Sequence, residues 1–319
     1  MPFTLSHAAA VLPALRRTGT ARGPLVASAL VAGSFAPDMT YYADSLIPGA
    51  MAFGEFTHAP LGVLTVDVLV TVALVGGWLL VREPLIALLP EAWRGPVLAF
   101  VRGRLQRPRG ARELLSLAAW FVVSAVLGAV THVVWDAFTH PGRWGTRLVP
   151  GLDQVVSGLP VYTFVQYGTS ALAAAALGWF GWSALRGPKG GTRGGGVSGV
   201  PVLTVRLRLW LTALVALCVV AGAVHRVVRV QTVQGSTAHW LGYLPTVLFG
   251  AGAGLIPGLV LYAVAVRLVH RRTRRTGAAR GAAGQVPRPV SRPAVPSVSP
   301  AASSSGVPSA AGASEPGAE

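Results

Sequence analysis

The stretch Leu114–His140, LLSLAAWFVVSAVLGAVTHVVWDAFTH, decides the fold of this chain. Its residues from Leu114 to Val134 include no Asp, Glu, Lys or Arg. They are numerous enough to cross a bilayer, which takes roughly 20 apolar residues. The stretch ends in a ladder of His132, Asp136 and His140, spaced four residues apart. Each step of four advances about 400° around a helix, so we expect the three side chains to share one face.

The chemistry of the ladder points to a metal ion. Imidazole nitrogens and carboxylate oxygens are the donors that zinc, manganese and iron accept. Polar side chains at membrane depth are costly and usually mark a functional site. A second reading stays open, in which the ladder is a capping network at a helix end that Pro141 terminates.

The composition of the whole chain is that of a membrane protein. Of 319 residues, 52% are hydrophobic and 12% are charged, whereas soluble domains carry roughly 25% charged residues. We therefore predict an all-α, multi-pass transmembrane helical bundle with about five spans. The five apolar windows are 59–81, 114–134, 161–185, 207–224 and 243–266.

The first 58 residues form a different kind of segment. Two apolar stretches, about residues 8–15 and 24–36, are each too short to span a bilayer. They predict a pair of short helices, either lying at the membrane interface or re-entering the bundle. We expect a helical membrane domain over residues 1–270 and a disordered cytoplasmic tail over 271–319, where Ala, Gly, Pro and Ser dominate.

The net charge of +16 is explained by membrane orientation. Three basic groups, within 82–112, 186–208 and 267–292, hold 20 of the 27 Lys and Arg residues, all on one side of a five-span topology. The positive-inside rule makes that side cytoplasmic. Aromatic interleaving and recognition motifs for nucleic acid are missing, so the expected partner is the lipid bilayer and not nucleic acid. High Ala, Arg, Gly and Pro usage is typical of a bacterial source, which predicts the bacterial plasma membrane.

The same topology gathers further candidate ligands at the outer face. His7, Asp38 and His58 can reach the layer to which the second span delivers the ladder. Six ligands exceed the number that one catalytic zinc uses, which is compatible with two ions. Zinc is the expected metal, with manganese and iron left open. Two ions would suit hydrolysis of a phosphoester, such as a phospholipid.

Several short motifs resemble those of an uncharacterised bacterial family of multi-pass membrane proteins, domain of unknown function 4184. The resemblance covers roughly residues 1–185, with an extension to the last span left open, and excludes the tail. Its ligand order is also similar to that of membrane-bound metal-dependent hydrolases and, distantly, of zinc-dependent phospholipase C. The resemblance implies metal ligands at His7, Asp38, His58, His132, Asp136 and His140, with Asp38 or Asp136 activating water. The motifs are Met1–Ala8, Gly33–Asp38, Phe56–His58, Thr131–His140 and Gln166–Ser170.

Two functional hypotheses follow. The first is a membrane-embedded, metal-dependent hydrolase that acts on a phosphoester at the outer face. The alternative is a non-catalytic membrane protein in which the same residues form a structural metal site or a polar knot.

Overall fold

Helices make up almost all of the regular structure, which confirms the predicted all-α class. The computed structural model describes residues 3–102, 108, 110–186, 200, 203–234 and 243–284. The α-helices are α1 (Ala27–Gly33), α2 (Met39–Ala43), α3 (Gly54–Thr57), α4 (Pro60–Leu64), α5 (Val66–Leu88), α6 (Glu91–Arg102), α7 (Ala111–Ala137), α8 (Trp144–Leu148), α9 (Val161–Arg186), α10 (Val205–Gln234) and α11 (Tyr243–Gly284). Short 3₁₀-helices lie at Thr4–Ala14, Ala36–Asp38, Ala50–Phe53 and Pro150–Asp153, and strands β1 (Val155–Val156) and β2 (Leu159–Pro160) form an antiparallel hairpin.

The long helices identify a membrane protein. Within the described ranges, four helices are long and apolar enough to cross a bilayer: Val66–Leu88, Ala111–Ala137, Val205–Val233 and Tyr243–His270. The predicted third window, 161–185, coincides with α9, which is helical but is not one of these four. Polar and weakly apolar residues along its whole length, among them Gln166, Ser170 and Trp179, lower its mean hydropathy.

Two predicted boundaries differ from those that the structure shows. The first span runs over 66–88 and not 59–81, because Pro60 starts the separate helix α4 and the chain turns at Thr65. At the other end, α11 continues through residues 271–284, where we expected the disordered tail to begin. The remainder of that tail, 285–319, lies outside the described residues. Residues 1–274 and 275–319 form separate units, and all side-chain contacts below belong to the first.

The expected pair of short N-terminal helices is present, as a 3₁₀-helix (Thr4–Ala14) followed by α1. Helix α1 packs against α7 at very short range. A Cβ added to Gly33 would lie 2.4 Å from the Ala125 carbonyl oxygen, and one added to Gly128 would lie 2.3 Å from the Leu30 carbonyl oxygen. Glycine at both positions lets the two backbones approach, as small residues do in membrane helix pairs. The backbone after α1 is thereby held against the ladder face of α7.

Candidate metal centre

Four side chains from three distant segments meet at the C-terminal end of α7. Asp38 ends a 3₁₀-helix, His58 follows α3, and His132 and Asp136 occupy one face of α7. They offer ligand atoms that all lie within 4.8 Å of one another. Their exposed fractions are 0% for Asp38 and His132, 4% for Asp136 and 6% for His58. This buried cluster is able to hold a metal ion.

The spacing of the donor atoms fits a coordination sphere better than a hydrogen-bond network. His132 Nε2 lies 3.4 Å from Asp38 Oδ1 and 3.4 Å from Asp136 Oδ2. His58 Nε2 lies 3.9 Å from Asp38 Oδ1 and 3.7 Å from Asp136 Oδ2. Hydrogen bonds of this type are typically about 2.7–3.2 Å long. Ligands placed tetrahedrally at about 2.0–2.2 Å from a zinc-sized ion lie about 3.3–3.6 Å apart.

Backbone carbonyls orient both imidazoles of this cluster. His132 Nδ1 lies 2.7 Å from the Ser34 carbonyl oxygen, and His58 Nδ1 lies 2.8 Å from the Gly54 carbonyl oxygen. A carbonyl oxygen only accepts, so each Nδ1 donates and a neutral ring keeps its Nε2 lone pair for the cluster. Among the described residues, neither Nε2 has a hydrogen-bond partner. This arrangement is the one that metal-binding histidines usually show.

The Asp38 carboxylate is oriented by a side-chain hydroxyl and not by a backbone carbonyl. Thr4 Oγ1 donates to Asp38 Oδ2 over 2.5 Å, which leaves Oδ1 directed at His132 and His58. Burial by itself would raise the pKa of Asp38, but the charge of a protonated His132 ring outweighs burial and holds the pKa below its usual value. A divalent cation bound between the two residues would act on Asp38 in the same direction when the ring is neutral. Asp38 is therefore ionised near neutral pH, as a metal ligand must be.

His7 lies directly beside the four-residue cluster. Its ring stacks on that of His132, with centroids 3.6 Å apart, and its Nε2 lies 3.4 Å from Asp136 Oδ1. His7 is fully buried. Burial, with a smaller contribution from His132, holds the pKa of His7 well below its usual value. Its ring is therefore neutral near pH 7, the state that binds metals.

His140 is the most exposed of the six predicted ligands. Its Nδ1 lies 3.5 Å from Asp136 Oδ2, and its side chain is 29% exposed. Its Nε2 lies 3.3 Å from Gln166 Nε2 at the start of α9. Burial lowers the pKa of His140 to about 4, so this ring is neutral near pH 7. The structure thus brings all six predicted residues together, with Asp38, His58, His132 and Asp136 as the compact donor group and His7 and His140 beside it.

The sequence alone did not predict a role for two residues of the site, Thr4 and Tyr41. Thr4 precedes His7 by three positions, which places both on one side of a 3₁₀-helix with three residues per turn. Tyr41 lies 5.8 Å from His58, ring to ring, and interacts with Arg143. Burial, with a smaller contribution from Asp38, raises the pKa of Tyr41 to about 12. The spacing of Thr4 from His7 is thus a signal in the sequence, whereas Tyr41 reaches the cluster only through the tertiary fold.

The fold and the site together define a class: an all-α membrane protein with a buried histidine–aspartate centre at one end of its helices. The family described as Domain of unknown function (DUF4184) matches residues 1–264, and the chain belongs to that family. The match runs from the N-terminal motifs into the last span and leaves out the tail, within the extent that the resemblance allowed. Searches of curated proteins and of solved structures found no match.

Proposed function

We propose that this protein is a metal-dependent hydrolase that acts on a phosphoester at the outer face of a bacterial plasma membrane. One observation carries the proposal: Asp38, His58, His132 and Asp136 converge within 4.8 Å although they come from three separate segments. Two carboxylates and neutral imidazoles suit zinc first, with manganese and iron as alternatives. Two buried carboxylates are costly unless a cation accompanies them.

A divalent ion bound by this cluster would supply activation of a water molecule and electrostatic stabilisation of phosphoryl oxygens. The residues of the chain provide the rest. Carbonyl contacts fix the rings of His58 and His132, and Thr4 fixes Asp38. Asp38 and Asp136 are the carboxylates positioned to accept a proton from the attacking water. His140, the most exposed of the six, marks the side from which a substrate would approach.

The membrane orientation follows from charge and is part of the same proposal. With α9 taken as a fifth crossing beside the four candidate spans, the basic groups 82–112, 186–208 and 267–292 share one side, which the positive-inside rule assigns to the cytoplasm. The centre lies at the opposite ends of α5 and α7, where the chain faces outward. A phospholipid is a suitable phosphoester because its headgroup is delivered to that surface by the bilayer itself.

The test has two measurements on detergent-purified protein. Elemental analysis should find near-stoichiometric transition metal, and hydrolysis of a generic phosphodiester should be abolished by chelation and by His132→Ala. Asp153→Asn is the matched control, because Asp153 is an exposed acid on the Pro150–Asp153 turn. Activity that survives both chelation and His132→Ala would reject this metal centre as the site of hydrolysis.

The second candidate is a structural metal site in a non-catalytic membrane protein. The burial of the donors favours it, because Asp38 and His132 are 0% exposed and leave a substrate little access. A filled metal site without hydrolysis of phosphomonoesters or phosphodiesters would select this candidate. In that case metal removal should unfold the outer end of the bundle without changing any catalytic rate.

A further inference from the structure

A second polar site lies outside the metal centre, between the segment after Asp38 and the ends of α10 and α11. A cavity of about 160 Å³ is bordered there by two arginines, Arg226 and Arg229, and by one acid, Asp44. Its other walls are mainly apolar and include Val230 and Phe249. By the share of liquid volume that a water molecule takes, the cavity holds about five waters. That is enough space for a phosphate group, which has five heavy atoms.

The charges at this cavity do not balance. Arg226 Nη2 lies 3.5 Å from Asp44 Oδ2, and Arg229 Nη2 lies 3.4 Å from the same oxygen. Asp44 Oδ1 already accepts from the backbone N–H groups of Gly49, at 3.0 Å, and Met51, at 3.3 Å. Two guanidinium groups therefore share one carboxylate that is itself largely satisfied. Among the described residues that line the cavity, one positive charge remains in excess.

Arg226 also keeps an unused donor at this buried position. Its Nη1 donates to the Tyr41 carbonyl oxygen over 2.8 Å and to Ser45 Oγ over 2.7 Å. Within the part of the chain that the structure describes, its Nε has no hydrogen-bond partner, although the residue is only 5% exposed. A buried N–H without an acceptor is costly, and a bound anion would satisfy it.

We propose that this cavity binds a phosphate group, through Arg226 and Arg229. Guanidinium forks match phosphate oxygens in geometry and form strong charge-assisted bonds with them. Both arginines lie in the last turns of α10, a candidate span, so the site falls where a bilayer presents lipid phosphates. The apolar walls suit the carbon atoms next to a headgroup. The phosphate comes either from a lipid or from free solution, and both share this chemistry.

A simpler explanation is that the ion pairs of Arg226 and Arg229 with Asp44 only hold α10 against the segment that carries Asp44. A purely structural role requires no ligand, so a measurement of phosphate binding distinguishes it from the proposed site. The probes are inorganic phosphate and dihexanoyl phosphatidylglycerol, each titrated into detergent-purified full-length protein by calorimetry. We expect saturable binding to the wild type and a loss of affinity of about tenfold or more in Arg229→Gln, as removal of a charge-assisted bond predicts.

Two further variants make the result decisive. Arg147→Gln removes a positive charge from an exposed position on α8 and should change affinity less than about twofold. Val230→Glu places a carboxylate one helical turn from Arg226 while both arginines and Asp44 remain, and it should abolish binding. Binding of the lipid alone identifies a headgroup site, and binding of both probes identifies a general phosphate site.

The proposal is overturned if neither probe binds the wild type at millimolar concentration, or if Arg147→Gln weakens binding as much as Arg229→Gln. Metal content provides an independent readout. The metal content should be the same in wild type, Arg229→Gln and Val230→Glu. A negative result for phosphate binding therefore does not bear on the proposed metal centre.

Discussion

His132 Nδ1 donates a hydrogen bond to the carbonyl oxygen of Ser34 over 2.7 Å, although 98 positions separate the two residues. Ser34 follows α1, and the neighbouring Gly33 is one of the residues through which α1 approaches α7 closely. The contact between α1 and α7 therefore also orients the His132 imidazole. Close packing fixes which nitrogen of His132 faces the carboxylates.

The first prediction concerns metal content. Asp136→Ala should lose most of the bound transition metal, because Asp136 Oδ2 lies within 3.7 Å of the nitrogens of both His58 and His132. Elemental analysis of the purified variant beside wild type measures the loss. Asp153→Asn should keep the wild-type content. Equal metal in Asp136→Ala and wild type would reject the site.

The second prediction concerns the threonine that holds Asp38. Thr4→Val keeps the side-chain volume but removes the hydroxyl that donates to Asp38 Oδ2. Loss of such an outer partner typically weakens metal affinity about 10–100-fold. Competition with a chromogenic chelator measures the affinity, and Thr18→Val is the control because Thr18 bonds only at the surface. An unchanged affinity in Thr4→Val would show that the hydroxyl does not orient the ligand.

The third prediction concerns the approach of α1 to α7. Gly128→Ala should destabilise the protein by about 1–3 kcal/mol and lower its metal affinity, because the new Cβ meets the Leu30 carbonyl oxygen. Gly168→Ala on α9 meets nothing within 4 Å and should be neutral or slightly stabilising. Thermal unfolding in detergent, followed by circular dichroism, compares the two variants. Equal melting temperatures would contradict the packing explanation.

The fourth prediction concerns metal removal. Dialysis against a chelator should lower the melting temperature, and added zinc should restore it, because an ion that binds only the folded state adds about 2.7 kcal/mol at 100 times its Kd. The Asp136→Asn variant should show no response to either treatment. A wild-type melting temperature that ignores both treatments would show that no stabilising ion binds.

The fifth prediction concerns orientation. In a Cys218→Ser background, which removes the single cysteine, Asp153→Cys should react with a membrane-impermeant maleimide in intact cells. Glu91→Cys, at an exposed position of α6, should react only after the cells are opened. The reverse labelling pattern would place the centre at the cytoplasmic face.

The local sequence was sufficient to predict the long helices and part of the candidate metal site. The apolar run before His132 predicts α7, and the four-residue spacing predicts that His132 and Asp136 share a face, as they do. The start of the first span was wrong because the windows measure hydropathy, whereas Pro60 and Thr65 interrupt the helix there. Gln166, quoted only as part of a motif, contacts His140, a relationship that no spacing along α9 contains.

The sequence by itself determined that this chain is a helical membrane protein and that α7 carries imidazole and carboxylate groups on one face. Both follow from periodicity and hydropathy, which act between neighbours along the chain. The topology and the motifs also predicted that Asp38 and His58 reach the layer of His132. Only the tertiary structure decided which atoms meet there: Thr4 holds Asp38, and backbone carbonyls turn each Nε2 toward the carboxylates. Those contacts depend on how closely separate segments pack, and the small residues at the α1–α7 contact set that distance.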